Sequence, residues 1–441
     1  MISVVRRDPV RWLALAGLAV FGVAAFAMPT AIGAMLALAG LGLAVAIAFA
    51  WPVAAMMVWL ILVETTPEMW LSDLIGHHEL IIAVLKSAGL AIVAIAALRD
   101  GVRFDRFNPS WAFVAMFGAG LIHGLWPGLT LTASFRSLTG SSAPFAPGFL
   151  RMTGAMRRAI VRCVIIGPCV TVGFGAALAA FGIRALWLTQ QGAIRLVASS
   201  SPAFLGGFAM IAIFAGLVAF LGTGRLREWG WIGVNFVILL ASGARAPLVL
   251  AAFVVLAALV AIPSPHLTPV RRTALLALGG AGFGMAVMAA SALHMIRAVD
   301  LIHLGEAWDL SNRNLIWPDF IAAIARSPVL GWGVGAGKVI VGLHSPLGRL
   351  LGTNAAHNEY LRIAAEGGIA GAMLLFALLW LWLRRGSAAL PAGQRTAIRL
   401  VFLAFAVQSF TDNTLIATTS LAFFTWARAV FADAKEGPST E

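Results

Sequence analysis

The chain has 441 residues, of which 61% are hydrophobic and only 11% charged, with a mean hydropathy of +0.93. That balance excludes a soluble globular protein and implies repeated apolar segments, each near the ~20 residues that cross a bilayer as a helix. A net charge of +13 and a pI near 11.4 would suit a nucleic-acid partner, but no basic stretch has a soluble fold around it, so the excess needs another explanation.

Arg6, Arg7 and Arg11 precede the first apolar run, at 12–28, and a second at 31–49 follows at once. This order predicts an uncleaved membrane helix rather than a signal peptide. Runs at 52–64, 79–98 and 110–129 predict three more helices; the break before 79 is acidic with His77 and His78, and the break after 98 is basic. Residues 137–152, SLTGSSAPFAPGFLRM, are small and weakly apolar, yet charge demands a crossing there. Arg99, Arg103 and Arg106 before them, and Arg151, Arg157, Arg158 and Arg162 at and beyond their end, all belong in the cytoplasm, so the chain must cross twice between the two clusters.

Runs at 163–182, 202–221, 229–241, 246–262, 273–292, 369–383, 397–411 and 414–430 complete the pattern. The fold expected is an all-α polytopic integral membrane protein with about 12–14 transmembrane helices and both termini cytoplasmic. Segments so placed inside hold 20 Lys and Arg against 7 Asp and Glu, and those outside 10 against 11. The whole positive excess is then topological, and no nucleic-acid partner is implied. Lys86 is the charge that stands well inside a predicted span, where it would snorkel or pack against a polar neighbour. Cys163 and Cys169 point to different sides of one helix and read as inert core residues.

Four regions follow: a helix bundle over 1–292, an outer loop over 293–366, C-terminal membrane helices over 367–431 and a tail over 432–441. In the loop, Ile316, Phe320 and Ile324 recur every four residues and predict an amphipathic helix on the membrane surface, with Pro318 in its first turn or kinking it. Pro328 ends it. Gly331, Gly333, Gly335 and Gly337 then make either a flexible turn or a loop whose backbone can approach a ligand closely. Asn354 is the expected N-cap of a helix over about 355–366 that carries His357 in its first turn and breaks at Gly367-Gly368.

The run His357-Asn358-Glu359-Tyr360-Leu361, with Glu366-Gly367 and Gly371 after it and Arg313, Trp317 and Ser327-Pro328-Val329-Leu330-Gly331-Trp332-Gly333 before it, resembles the signature of the O-antigen ligase and O-antigen polymerase family. Ser242-Gly243-Ala244-Arg245 resembles the family's outer arginine motif, and Arg195, ahead of Ser201-Pro202, resembles a second position more loosely. The resemblance implies a C-type glycosyltransferase fold in the bacterial inner membrane, with its active face periplasmic. It implies an enzyme without cofactor or metal that moves a glycan, with inversion, from undecaprenyl diphosphate to a sugar hydroxyl. A ligase would use lipid A core as acceptor, and an O-antigen or exopolysaccharide polymerase would use another repeat unit.

By the same resemblance His357 is the catalytic residue, Arg245, Arg313 and Arg195 bind the diphosphate, and Glu366, Asn358 and Trp317 support them. Arginine suits that task because it is always charged and offers paired donors; the other reading of each is an arginine snorkelling to headgroups. Arg326, Lys338, Arg349 and Arg362 are further cations of the loop. Tyr360 and Trp332 read as packing or interfacial residues, Asp412 as a solvated turn residue, and His77, His78, His294, His303 and His344 as structural. A competing reading, a transporter or flippase of lipid-linked sugar, has Lys86 and the Gly167-Pro168 break in its favour, but that break has no mate elsewhere in the chain. The ligase reading is preferred to both the polymerase and the transporter.

Overall fold

The computed structural model describes residues 44–72, 78–190, 193–292, 315–343, 345–351 and 353–436. The predicted helix at 12–28, most of the one at 31–49, Arg313, and His77, His294, His303 and His344 lie outside them. The chain is an all-α polytopic membrane protein. Its helices are α1 (Pro52–Thr65), α2 (Pro67–Trp70), α3 (His78–Asp100), α4 (Ser110–His123), α5 (Leu131–Ser142), α6 (Gly154–Ala180), α7 (Pro202–Thr223), α8 (Arg227–Ser242), α9 (Arg245–Ala261), α10 (Pro269–Ala292), α11 (Trp317–Arg326), α12 (Pro346–Leu351), α13 (Glu359–Gly386), α14 (Ala392–Gln408) and α15 (Thr418–Glu436). Among the described residues α3, α6, α7, α10 and α13 are long and apolar enough to cross a membrane, and α1, α4 and α9 are shorter apolar helices.

Helix α7 is the axis of the bundle. It is apolar all round, so every face must be covered, and it packs against α6, α8, α9, α14 and α15. Hydrogen bonds between connections define two ends. At one, the Arg99 guanidinium donates to the carbonyls of Phe49 and Ala50 at 2.8 and 2.7 Å, Val102 bridges to Leu150, and Arg428 donates to the Leu150 carbonyl. At the other, the Thr66 hydroxyl reaches the Ser199 carbonyl and the Trp126 amide donates to the Trp332 carbonyl.

The weak segment runs from one end of the bundle to the other, the course expected of the return crossing that the charges imply. The Thr130 hydroxyl caps α5 at the Trp332 end, and a 3-10 turn over Ala143–Phe149 carries the chain to Leu150 at the arginine-rich end. Its low hydropathy has a local cause: Ser134, Ser137 and Ser141 are buried in the protein rather than turned to lipid. Several boundaries differ from those read in the sequence; α6 begins at Gly154 instead of 163 and so takes in Arg157, Arg158 and Arg162. The span expected over 110–129 stops at His123, where Gly124 takes a φ of 112° that other residues avoid, and the following helix starts at Leu131 instead of 137. A short hairpin, β1 (Trp187–Gln190) and β2 (Ala193–Leu196), pairs Leu188 with Arg195 and has no counterpart in the sequence reading.

Candidate catalytic site

The site is organised by a broken helix. Within α13, Gly368 has φ 58° and ψ −166°, a conformation that interrupts the helical hydrogen-bond ladder. Backbone groups freed at membrane depth need protein partners, and the segment after α11 supplies them. The Trp332 and Gly333 amides donate to the carbonyls of Ala365 and Glu366 at 3.0 and 2.9 Å, while the amides of Ile369 and Ala370 donate to the carbonyls of Pro328 and Val329 at 2.8 and 3.1 Å. The Ser134 hydroxyl of α5 donates to the Val334 carbonyl from the other side. The glycine run is therefore a packed plug, whose glycines permit close approach to protein: backbone at Gly331, and the side chains of Leu125, Ser137 and Arg362 at Gly333, Gly335 and Gly337.

Gly331 and Gly368 make this contact possible as a pair. A Cβ on Gly331, at φ 69°, would lie 2.5 Å from the carbonyl carbon of Glu366, and one on Gly368 would lie 2.3 Å from that of Val329. Gly368→Ala is expected to cost at least about 1–3 kcal/mol from its backbone conformation alone, with the overlap on Val329 adding to it. Thermal unfolding of the detergent-purified variant measures the loss; an unchanged midpoint would contradict this packing.

Helix α13 starts four residues later than the sequence suggested. Its N-cap is Asn358, whose Oδ1 accepts from the amides of Tyr360 and Leu361 at 3.0 and 3.1 Å. Asn354 does not serve, because His357 at a φ of 46° keeps the residues after Asn354 out of a helix; its side-chain amide donates instead to the Lys338 carbonyl and holds this segment against the plug. His357 thus precedes the helix, at a φ of 46° that non-glycine residues seldom adopt. The Trp317 indole of α11 donates to the Ala356 carbonyl at 3.0 Å and fixes the neighbouring residue. Helix α11 buries Phe320 in a small cluster with Ile316, Val341, Ala356 and Ala365 and leaves Ile321 exposed, so its amphipathic pattern is met by protein on one face.

The His357 side chain is 27% exposed. Its Nε2 lies 3.3 Å from the Thr353 hydroxyl, and its Nδ1 faces Asp412 Oδ1 at 3.8 Å. Asp412 stands between α14 and α15, and its Oδ1 also accepts from the Asn413 amide at 2.8 Å. Sequence reading took Asp412 for a solvated turn residue; its side chain is 40% exposed but directed at the histidine.

Below His357 lies a buried ion group. Arg362 donates from Nη1 to Glu366 Oε2 at 2.8 Å and from Nε to Glu359 Oε1 at 3.0 Å, and all three residues are at most 4% exposed. The Gly337 position, bare of a side chain, leaves room for the Arg362 stem and the Glu366 carboxylate. Glu366 thus holds Arg362, and Tyr360 packs on Phe376 and Phe410 while its hydroxyl donates to the Ala406 carbonyl.

Arg245 is the first residue of α9, directly after the turn Ser242-Gly243-Ala244. Arg195, on β2, donates from Nε to the Ser242 carbonyl at 2.9 Å and from Nη2 to that of Gly243 at 3.4 Å, so it grips the turn that presents Arg245. The first turns of α7 touch this turn and the Asp412 side alike. A Cβ on Gly206 would meet Ala244, and one on Gly207 would meet Thr419 at 3.0 Å. Arg195, Arg245, Asp412 and His357 therefore gather at one end of the bundle.

Residues 230–376 match the O-antigen ligase family. Over that third of its length the chain is similar to the O-antigen ligases. No curated protein matches it. The O-antigen ligase stretch takes in Arg245, Trp317, the glycine plug, His357, Asn358 and Glu366, whereas Arg195 and Asp412 fall outside it and join the site only through the fold.

Proposed function

We propose that this O-antigen ligase family protein transfers a glycan from undecaprenyl diphosphate to a hydroxyl of lipid A core, at the outer face of the bacterial inner membrane. The observation that carries the reading is His357, 27% exposed, with Asp412 3.8 Å from Nδ1 and the Thr353 hydroxyl 3.3 Å from Nε2, on the segment that matches the family. With its proton on Nδ1, toward Asp412, the ring has its lone pair on Nε2, beside the Thr353 hydroxyl, and an acceptor hydroxyl that takes the place of Thr353 would give its proton there. The hydroxyl oxygen then attacks the anomeric carbon as the bond to the diphosphate oxygen breaks on the opposite face, which inverts the centre. Arg245 and Arg313 would hold the diphosphate and meet the charge that builds on it as it leaves, and Arg195 would keep the Arg245 turn in place. Ile321, Val329, Leu330, Ile369 and Met373 are exposed beside the helix break, where a polyprenyl chain in the bilayer would lie.

The test is the surface glycan of cells lacking the gene. Core lipid without polymer, with polymer accumulating on undecaprenyl diphosphate, supports the ligase. Core bearing a single repeat would instead make the protein a polymerase, and a normal ladder would overturn both.

A further inference from the structure

Lys86 is buried in α3, 9% exposed, and Nζ donates to the Ile416 carbonyl at 2.8 Å and to the Gly140 carbonyl at 3.4 Å. Ile416 lies in the connector 409–417 between α14 and α15, the segment that bears Asp412. The connector is pinned elsewhere too. Its Ser409 carbonyl accepts from the Glu359 amide at 2.8 Å, and just beyond it the Thr418 hydroxyl donates to the buried Glu68 carboxylate. Between these pins the Ala417 amide donates to the Asn413 carbonyl, so Ile416 and Asp412 belong to one short turn unit.

Taking an ammonium out of water costs several kcal/mol, and its charged surroundings are mixed: Glu68 and Glu359 attract it, Arg362 and Lys338 repel it. Methionine would fill the same space without that cost. What it lacks is a donor for the carbonyl of the Asp412 turn.

We propose that Lys86 is a positioning residue for glycan transfer, holding the 409–417 turn so that Asp412 faces His357. This rests on the reading of His357 as the base. The test uses purified protein in proteoliposomes, with undecaprenyl-diphosphate-linked glycan and lipid A core extracted from cells lacking the gene. Lys86→Met is expected to lower kcat about 10- to 100-fold, the usual penalty for misplacing a reacting group by a fraction of its reach, with the donor KM unchanged. Lys86→Arg should restore most of the loss, and Lys86→Met combined with Asp412→Asn should be no slower than Asp412→Asn alone.

Wild-type kcat in Lys86→Met, or losses that multiply in the double variant, would overturn the role. Should Lys86→Met fail to fold, Lys86→Gln, which keeps an N–H donor, allows the same comparison with Asp412→Asn. Full turnover in His357→Ala defeats the reading beneath the inference; a dead His357→Ala beside a normal Lys86→Met defeats only the inference.

Discussion

Replacing His357 by alanine is expected to lower glycan transfer by about 100- to 10,000-fold, the range in which a positioned general base contributes. The fold should survive the change. The side chain is 27% exposed, its contact with Thr353 is long at 3.3 Å, and its Nδ1 is 3.8 Å from Asp412, so little packing is lost. Alanine must take the same left-handed backbone, but Asn358 still caps α13 and Trp317 still holds the Ala356 carbonyl. Because a base acts on the attacking hydroxyl as the bond forms, the loss should fall on kcat with donor KM little altered. In cells lacking the gene, the variant should accumulate to wild-type levels yet leave core lipid without polymer. A normal ladder would remove His357 from the mechanism.

Much of the fold was legible because membrane helices declare themselves by length and apolarity, and because charge fixes which segments must cross. The segment 137–152 shows the use of the second argument: hydropathy alone would have left it in a loop, while the arginines around it asked for a crossing, and α5 with its 3-10 turn runs the length of the bundle between its two ends. What could not be read was where a neighbour overrides local preference. Asn354 and Asn358 are equally good caps in isolation; the left-handed backbone of His357 between them decides that the helix starts after Asn358. The hairpin at 187–196 is too short, four residues a strand, to stand out in so apolar a chain.

The site divides in the same way. His357 and the break at Gly367-Gly368 were visible as motif and glycine pair, and the break lies at Gly368. Asp412 was invisible, since it comes from another connector and only the packing of α14 and α15 on α13 and α7 brings it to the histidine. The role of Arg362 was within reach and missed. Glu359, Arg362 and Glu366 stand three and four residues apart, the spacing that places an arginine between two carboxylates on one helix face.

That arginine should be among the most costly residues to lose. In Arg362→Ala, Glu359 and Glu366 would remain buried beside each other without the cation that both hydrogen-bond, and breaking a buried ion pair in this way costs about 3–5 kcal/mol. Lysine should not rescue it, because a single ammonium cannot reproduce a planar fork that reaches both carboxylates. Removing all three charges together should. Arg362→Met with Glu359→Gln and Glu366→Gln is expected to recover most of the stability, since the penalty arises from the unpaired charges and not from the loss of the pair itself. Thermal unfolding of detergent-purified variants reads both effects. If Arg362 instead served the substrate, Arg362→Ala would unfold at the wild-type temperature and raise the donor KM, whereas a structural ion group lowers the midpoint and leaves the KM of the folded fraction where it was.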